Sequence, residues 1–361
     1  MLFAMTLRMR KFYDLINTLG MSWIIWVFAC SLFGLIRVWG VEDLPAFERV
    51  VPFNPLEFSI EMILFGTAMG IPFGILDYFL NANKIHRLPY WKIITIKTLS
   101  QMLLAIFSLA ILVVVNNHLR QVQLSIFYYI FSKSAILYIL YTSIVSFLIY
   151  FLQVVKSKFG ARVMVNLILG KYHNPRVETR IFMFLDMKDS TTHGENLGHI
   201  KFSSLIQDCF SDLTSAIVQH KVEVYQYVGD EAILTWQLSD GFEHANCLKV
   251  YYGFMDTLNK KKNYYENKYG FVPYFKAGVH LGDVTVSEVG VIKREIAYHS
   301  DVLNTAARIQ SKCNELESGL LISEDLKDKV EDKQLFDFEH IGGISLKGKQ
   351  HPVNIYKVTL R

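Results

Sequence analysis

The sequence has few charged residues, which make up only 19% of its 361 positions. Hydrophobic residues make up 52%, and the mean hydropathy of +0.25 is higher than that of a typical soluble protein. The excess of apolar residues is confined to residues 1–155, whereas the remainder has the composition of an ordinary soluble chain. We therefore expect a membrane domain over residues 1–155, followed by a soluble region.

Long basic runs and closely spaced cysteines are also lacking. The net charge is only +4, and no block of Lys and Arg reaches the length of a basic tail, so nucleic acid is not an expected partner. The cysteines are Cys30, Cys209, Cys247 and Cys313. Their wide spacing argues against a disulfide framework and a structural zinc site, and it fits a reducing cytoplasm around the soluble region.

Four apolar stretches are long enough to cross a bilayer, which takes roughly 20 helical residues. They are residues 19–36, 58–80, 93–115 and 134–155. Lys and Arg are concentrated before the first stretch, between the second and third, and after the fourth. By the positive-inside rule, the chain is expected to be a multi-pass protein of the cell (inner) membrane, with both termini in the cytoplasm and the lipid bilayer as a partner.

Three ionisable residues, Glu61, Asp77 and Lys97, lie within the expected spans. Ionisable residues at such positions are candidates for a ligand-sensing role. Each also lies near the end of a span, from which its side chain could reach the membrane interface. The second interpretation requires no function, and we prefer it.

Residues 156–176 are expected to form a juxtamembrane helix and linker that joins the membrane domain to a cytoplasmic domain over residues 177–361. Apolar residues recur every four positions and give one helix face a stripe, formed by Val155, Phe159, Val163 and Leu167. The stripe could pair two chains, or it could pack on its own domain. Asn174-Pro175 is expected to end the helix.

Residues 177–361 alternate between strand and helix patterns, which predicts an α/β sandwich with one mixed sheet. An apolar strand ends at Asp186, and a hairpin carries Asp230 in a Gly-Asp turn. If these ends are adjacent, the two carboxylates form an oxygen-ligand site for Mg²⁺, although Asp is also common in turns for structural reasons. Asn304 and Arg308, four positions apart, add an amide and a cationic fork suited to phosphate.

Together these segments resemble the catalytic domain of class III adenylate/guanylate cyclases over residues 180–358, in order and in spacing. The segments are FLDMKDST (184–191), YQYVGDEAILTW (225–236), AGVHLGDVTVSEVG (277–290), YHSDVLNTAARIQ (298–310) and ISLKGKQHPVNIYKV (344–358). The resemblance implies an α/β (α+β) catalytic domain with a mixed sheet and a ferredoxin-like core. The expected architecture is therefore an α-helical membrane domain of four transmembrane helices followed by this domain.

The resemblance implies roles for individual positions. Asp186 and Asp230 match the metal-binding aspartates, with the Met187 carbonyl as an additional ligand, for two Mg²⁺ or Mn²⁺ ions per site. Asn304 and Arg308 match the pair that orients the ribose and stabilises charge on the transferring phosphate. The family also shares its active sites between two chains, which implies a homodimer with two equivalent sites.

Three further positions match residues that bind the substrate, a nucleoside triphosphate. Lys347 matches the lysine that holds the terminal phosphates. The base-reading Lys and Asp or Thr of the family are replaced by Gln226 and Ala297. An amide can both donate and accept hydrogen bonds, and a methyl group can do neither. These two positions therefore do not determine which base the substrate carries. ATP is the expected substrate, and GTP or a pyrimidine triphosphate is the alternative.

The activity that the resemblance implies is conversion of ATP to 3′,5′-cyclic AMP and pyrophosphate for intracellular signalling. A rival interpretation is a degenerate cyclase domain that serves as a binding module or receptor. Such a domain usually loses its metal ligands or the arginine, and both are retained here. A small transporter would instead need polar or broken spans, of which Gly66, Gly70, Pro72 and Gly74 are the only hint.

Overall fold

The structure is a computed structural model, and it describes residues 2–38, 55–82, 88–120, 125–344 and 352–361. Lys347, expected to bind phosphate, lies outside the described residues. Contacts within the chain divide it into two compact units, Met1–Lys158 and Phe159–Arg361.

The first unit is helical. Its helices are α1 (Leu2–Val38), α2 (Pro55–Ala82), α3 (Tyr90–Arg120), α4 (Ile126–Ile130) and α5 (Lys133–Phe159). Four of them contain stretches long and apolar enough to cross a membrane, namely Leu15–Ile36, Ser59–Leu80, Trp91–Ile111 and Lys133–Lys156. This finding confirms the expectation of four apolar helices in this part of the chain.

Glycines spaced four apart let α1 and α2 pack closely. A Cβ atom on Gly66 would lie 2.3 Å from the Cα of Val27, and one on Gly70 would lie 2.8 Å from the Cα of Trp23. Small residues at this spacing are typical of membrane helices whose backbones approach one another. These glycines therefore serve helix packing.

Two of the ionisable residues within the spans form a buried pair, which differs from the expectation that they reach the interface. Asp77 of α2 and Lys97 of α3 are only 7% and 4% exposed. The Lys97 Nζ donates to Asp77 Oδ1 at 2.5 Å and to the Gln153 Oε1 of α5 at 3.3 Å. Because each charge lies beside a partner on a neighbouring helix, neither side chain needs to extend to the interface.

The second unit begins with a short helix, α6 (Ala161–Ile168). Gly160 adopts a φ of +81°, which is not helical, so α5 does not continue into α6 as one helix. The helix also ends six residues before the expected stop at Asn174-Pro175. The continuous apolar stripe predicted from Val155 to Leu167 is therefore interrupted.

The remainder of the second unit is a sheet with helices. Its strands are β1 (Arg176–Met187), β2 (Glu223–Val228), β3 (Glu231–Gln237), β4 (Phe275–Val289), β5 (Glu295–His299), β6 (Leu320–Ser323), β7 (Phe336–Ile344) and β8 (Val353–Leu360). Its helices are α7 (Ser190–Gln219), α8 (Leu238–Phe242), α9 (Asn246–Lys260), α10 (Lys262–Tyr269), α11 (Asp301–Ser311) and α12 (Glu324–Lys329).

The strand order is β2-β3-β1-β4-β6-β8-β7, with β5 paired to β4. Only the described pairing of β4 with β6 is parallel, so the sheet is mixed, as expected. Because β1 is central, its successive side chains enter two different apolar clusters. Ile181 and Met183 belong to the cluster that includes residues of α7 and α9, while Phe182 and Phe184 belong to the cluster that includes residues of α11.

The sequence pattern predicted two strands, near 274–281 and 284–289, where the structure has the single strand β4. Gly282-Asp283 looks like a turn, but the strand runs through it. A Cβ atom on Gly282 would lie 2.6 Å from Cγ2 of Val302 in α11. Gly282 is therefore required by the close approach of a helix and not by a turn.

A buried carboxylate joins α7 to α10. Asp208, only 5% exposed, accepts hydrogen bonds at 2.7 Å from the hydroxyls of Tyr264 and Tyr269 and from Lys268 Nζ. Burial alone would raise the pKa of Asp208, but the hydrogen bonds from Lys268, Tyr264 and Tyr269 lower it to about 2. The charged form is therefore the one that stabilises the fold.

Replacing Asp208 by Asn is expected to destabilise the protein by about 1–3 kcal/mol at pH 7, because three donors lose a charged acceptor. The folded pKa lies below the unfolded value of about 3.9, so this stabilisation is complete above about pH 4 and is lost as the pH falls towards 2. Thermal unfolding of the full chain at pH 7 and pH 3 measures both effects. The matched control is Asp256→Asn, which removes an exposed pair with Lys260; equal losses in the two variants would contradict the assignment.

Candidate active site

The two predicted aspartates lie next to each other at one end of the central strands. Asp186 is the penultimate residue of β1 and is paired across the sheet with Glu231, the first residue of β3. Asp230 immediately precedes Glu231 in the hairpin turn, where Gly229 has a φ of +61°. The strand ends are therefore adjacent, which is the condition that the sequence argument set for a site with two carboxylates.

The carboxylates crowd negative charge into a half-buried place. Burial, followed by the charge of Asp230, raises the pKa of Asp186 to about 6. Burial also raises the pKa of Glu231 to about 7, and the charges of Asp186 and Asp230 add to the shift. Because these carboxylates are partly buried and lie close to one another, a bound cation would stabilise their charged forms.

The donor set fits Mg²⁺ or Mn²⁺ in particular. Such ions bind through one or two carboxylates, with substrate phosphates and water completing the coordination. Within the described parts of the chain, no group of three or more His, Cys, Asp and Glu side chains is arranged to hold a metal by itself. Asp186 and Asp230, with the main-chain carbonyl of Met187 at the end of the same strand, are the residues that would hold the ions.

Two residues that sequence reasoning missed contact Asp186. The Gln310 Nε2 of α11 donates to Asp186 Oδ2 at 3.1 Å, and the Lys276 Nζ of β4 lies 3.8 Å from the same oxygen. Both side chains are buried. The only signal in the sequence was the polar character of each residue within an apolar strand or on the apolar face of a helix. Both side chains approach the same carboxylate oxygen and orient it.

Asn304 and Arg308 lie on a different face of α11 from Gln310. The helix begins at Ser300, whose Oγ accepts a hydrogen bond from the Val302 amide. Its buried residues are Val302, Thr305, Ala306, Ile309 and Gln310. Since an α-helix turns about 100° per residue, Arg308 is rotated about 200° from Gln310, and Asn304 is within about 40° of Arg308. Asn304 is exposed and Arg308 is half-buried, so this pair lies on a less buried side of α11 than Gln310 does.

The two positions that the resemblance matches to base-reading residues lie on separate strands. Gln226 is exposed on β2, just after a register shift between Val224 and Gln226, and is paired with Ile233. Ala297 is half-buried on β5 and is paired with Ser287. Strand β5 was not expected from the sequence, because its five residues follow β4 after a short connection.

Crowding of the carboxylates predicts a cost to stability. Because the folded pKa values of Asp186 and Glu231 are raised, stability decreases as the pH rises from about 4 through 7. Replacing Asp230 by Asn removes a repelling charge, so we expect the metal-free variant to be more stable than the wild type by about 1 kcal/mol at pH 8 and equally stable at pH 4.

Thermal unfolding of the full chain in the presence of a chelator tests this expectation. Asp256→Asn, which changes an exposed carboxylate elsewhere, is the matched control. A gain that is absent at pH 8, or equal at pH 4 and pH 8, would show that repulsion within the cluster is not its cause.

Comparison with known proteins gives related results from sequence and from structure. Adenylate cyclase 2 of Rhizobium meliloti (strain 1021) is 28% identical over 211 residues, which is 58% of each chain. The chain therefore spans about three fifths of that relative. The photoactivated adenylate cyclase subunit alpha of Euglena gracilis is 31% identical over 84 residues, which is 23% of this chain and 8% of that protein.

A solved structure shares the fold. The structure of a bacterial light-regulated adenylyl cyclase has a TM-score of 0.51 and 18% sequence identity, and covers 60% of this chain and 64% of that chain. The sequence profile of the adenylate and guanylate cyclase catalytic domain matches residues 173–359, more than half of the chain. The chain therefore belongs to the family of proteins with an adenylate and guanylate cyclase catalytic domain.

Proposed function

We propose that this protein is a membrane-anchored nucleotide cyclase that converts ATP to 3′,5′-cyclic AMP and pyrophosphate. The observation that carries the proposal is the pair of adjacent carboxylates, Asp186 and Asp230, in a domain of this family. Two neighbouring carboxylates are suitable ligands for the divalent ions that accompany a nucleoside triphosphate.

The reaction is an intramolecular phosphoryl transfer. The ribose 3′-hydroxyl attacks the α-phosphate in line, the bond from that phosphorus to the bridging oxygen breaks, and pyrophosphate leaves. Bound divalent ions would polarise the nucleophile and the leaving group. Asp186 and Asp230 hold the ions, Asn304 orients the ribose, Arg308 neutralises charge on the transferring phosphate, and Lys347 binds the terminal phosphates.

The active site is proposed to form between two copies of the chain. Gln310 faces Asp186 of its own chain, whereas Arg308 lies about 200° around the same helix. The proposal is that Asn304 and Arg308 complete the site of a second copy, whose aspartates hold the ions. A homodimer related by a two-fold axis would contain two equivalent sites.

The base is proposed to be adenine. The relative from Rhizobium meliloti is an adenylate cyclase by name, which supports ATP. Gln226 is exposed and can present either its carbonyl or its amino group, so discrimination against other bases is expected to be weak. A site rejects the wrong base strongly only when that base leaves buried polar groups of the protein without a hydrogen-bond partner. The side chain of Ala297 is a methyl group and has no polar atom to leave unpaired.

We also propose that both termini lie in the cytoplasm. Basic residues are concentrated before the first span, between the second and third, and after the fourth, where Lys156 and Lys158 precede the cyclase domain. By the positive-inside rule, these parts of the chain lie in the cytoplasm. Residues 1–155 would then be the membrane domain, residues 156–176 the connector, and residues 177–361 the catalytic domain. The bilayer would confine the chains to a plane and raise the fraction that pairs.

Incubation of the full chain with each of the four ribonucleoside triphosphates, in Mg²⁺ or Mn²⁺, tests the activity. Cyclic AMP is expected as the main product, with activity lost in the presence of a chelator. Asp230→Ala is expected to lower the rate by at least about 100-fold while the protein stays folded, because a metal ligand is removed.

Asp256→Ala, an exposed aspartate far from these residues in sequence, is the control and is expected to retain activity. A folded Asp230→Ala variant with a near-normal rate would contradict the metal assignment. Strict use of a pyrimidine triphosphate would contradict the substrate and leave the type of reaction intact.

A further inference from the structure

A buried arginine lies on the central strand of the sheet. Arg180, near the start of β1, is 1% exposed. Its Nε donates to Glu178 Oε2 at 2.9 Å, and its Nη1 donates to Glu223 Oε2 at 2.8 Å. Its guanidinium carbon lies 5.2 Å from the centre of the Tyr298 ring. A buried charge is costly unless it is paired, and Arg180 meets that condition with three partners.

These partners come from three strands, and two of the strands are far apart in the sheet. Glu223 belongs to β2 and Tyr298 to β5, and the sheet order places β3, β1 and β4 between them. Nevertheless, the rings of Tyr225 in β2 and Tyr298 in β5 lie with their centres only 4.9 Å apart. The sheet is therefore curved so strongly that β2 and β5 meet over one face of β1, where Arg180 bridges them.

The same two strands carry both base-reading positions. Glu223 precedes Gln226 by three residues, and Tyr298 immediately follows Ala297. The register shift between Val224 and Gln226 leaves Tyr225 as an extra residue in the ladder of β2. A bulge interrupts the backbone hydrogen bonds between two strands, so these bonds fix the position of the strand less firmly there. The side-chain contacts around Arg180 then fix where this part of β2 lies.

The geometry requires an arginine. A guanidinium group is planar and donates in several directions at once, so it can reach Glu178 and Glu223 together while lying over a ring. Glu178 is held from its other side as well, by Lys171 at 2.8 Å and by the Tyr172 hydroxyl at 3.2 Å. Burial alone would raise the pKa of Glu178, but the hydrogen bonds from Lys171 and Arg180 lower it, so the carboxylate stays charged. The positive charges of Lys171 and Arg180 therefore balance the negative charges of Glu178 and Glu223.

We propose that Arg180 is a positioning residue that fixes β2 against β5 and thereby sets how well the site distinguishes adenine from guanine. The inference rests on the proposed function, because it assigns to Gln226 and Ala297 the reading of the base. The side chain of Arg180 contacts Glu178, Glu223 and Tyr298. It acts through Glu223 and Tyr298 on strands β2 and β5.

The test compares full-length Arg180→Lys, Arg180→Met and Glu223→Gln with the wild type. Binding of 3′-deoxy-ATP and 3′-deoxy-GTP, which lack the attacking hydroxyl, is measured with Mn²⁺, and turnover of ATP is measured separately. In Arg180→Met the preference for 3′-deoxy-ATP, which is already weak in the wild type, is expected to disappear, so that the ratio of the two dissociation constants falls to about one. KM for ATP is expected to rise on the order of tenfold, with kcat per folded chain changing less than about threefold.

Arg180→Lys keeps the positive charge but lacks the planar guanidinium group. Its binding ratio and KM are therefore expected to lie between those of the wild type and Arg180→Met. Glu223→Gln keeps an acceptor for the arginine and is expected to change the ratio least. The matched control is Arg361→Lys, since Arg361 forms an exposed ion pair with Asp337 at 2.6 Å. It is expected to change neither the ratio nor KM.

A purely structural role for Arg180 makes a different prediction. It would lower the amount of folded protein and leave the ratio and KM of the folded fraction unchanged, and this result would overturn the inference. If the wild type binds both nucleotides but forms no cyclic product, the proposed function fails while the binding ratio still decides the role of Arg180. If the wild type binds neither nucleotide, both proposals are overturned.

Discussion

The close contact between helix α11 and strand β4 is the constraint on which the candidate site depends. A Cβ atom on Gly278 would lie 2.2 Å from the backbone nitrogen of Gln310, so no other residue fits there without moving the helix. With the helix held this close, Gln310 reaches Asp186. Asn304 and Arg308 lie about 120° and 160° around the same helix from Gln310. One packing contact thus brings Gln310 to Asp186 and fixes the rotation of the whole helix.

The charged groups of the second unit illustrate how partners decide the role of a carboxylate. Asp208 and Asp186 are both shielded from solvent, yet the pKa of Asp208 is lowered to about 2 and that of Asp186 is raised to about 6. Three donors surround Asp208, whereas Asp186 faces other carboxylates and receives weaker compensation from Lys276 and Gln310. The arrangement around Asp208 stabilises the fold. The arrangement around Asp186 lowers the stability of the fold and keeps carboxylates together where a cation can bind.

The sequence predicted features that depend on local patterns. The four apolar helices followed from hydropathy, and the β2–β3 hairpin followed from two apolar strands around a Gly-Asp turn. For these two features the signal lies in neighbouring residues, so no knowledge of distant contacts was needed. The adjacency of Asp186 and Asp230 was only a conditional expectation, because it also requires β1 to pair with β3, as it does in the structure.

Features that depend on distant contacts were not predictable in this way. The pattern indicated separate strands on either side of Gly282, because the residue that requires a glycine there, Val302 of α11, is 20 residues away. Gln310 and Lys276 stood out only as polar residues among apolar ones, because their role depends on contact with Asp186. The pairing of Asp77 with Lys97 was missed for the same reason, since each residue taken alone fits the end of a span.

The central claim is that each active site is closed between two copies of the chain, and co-expression of two inactive variants tests it most directly. On this claim, Asp186→Ala and Arg308→Ala should each be inactive alone, since every site in either homodimer would lack one essential group. In a mixed dimer, one site carries both changes and the other carries neither. Cyclic nucleotide formation should therefore return to about a quarter of the wild-type rate if pairing is random. A mixture as inactive as its parents, although a pull-down shows that mixed dimers form, would contradict the claim and place the whole site within one chain.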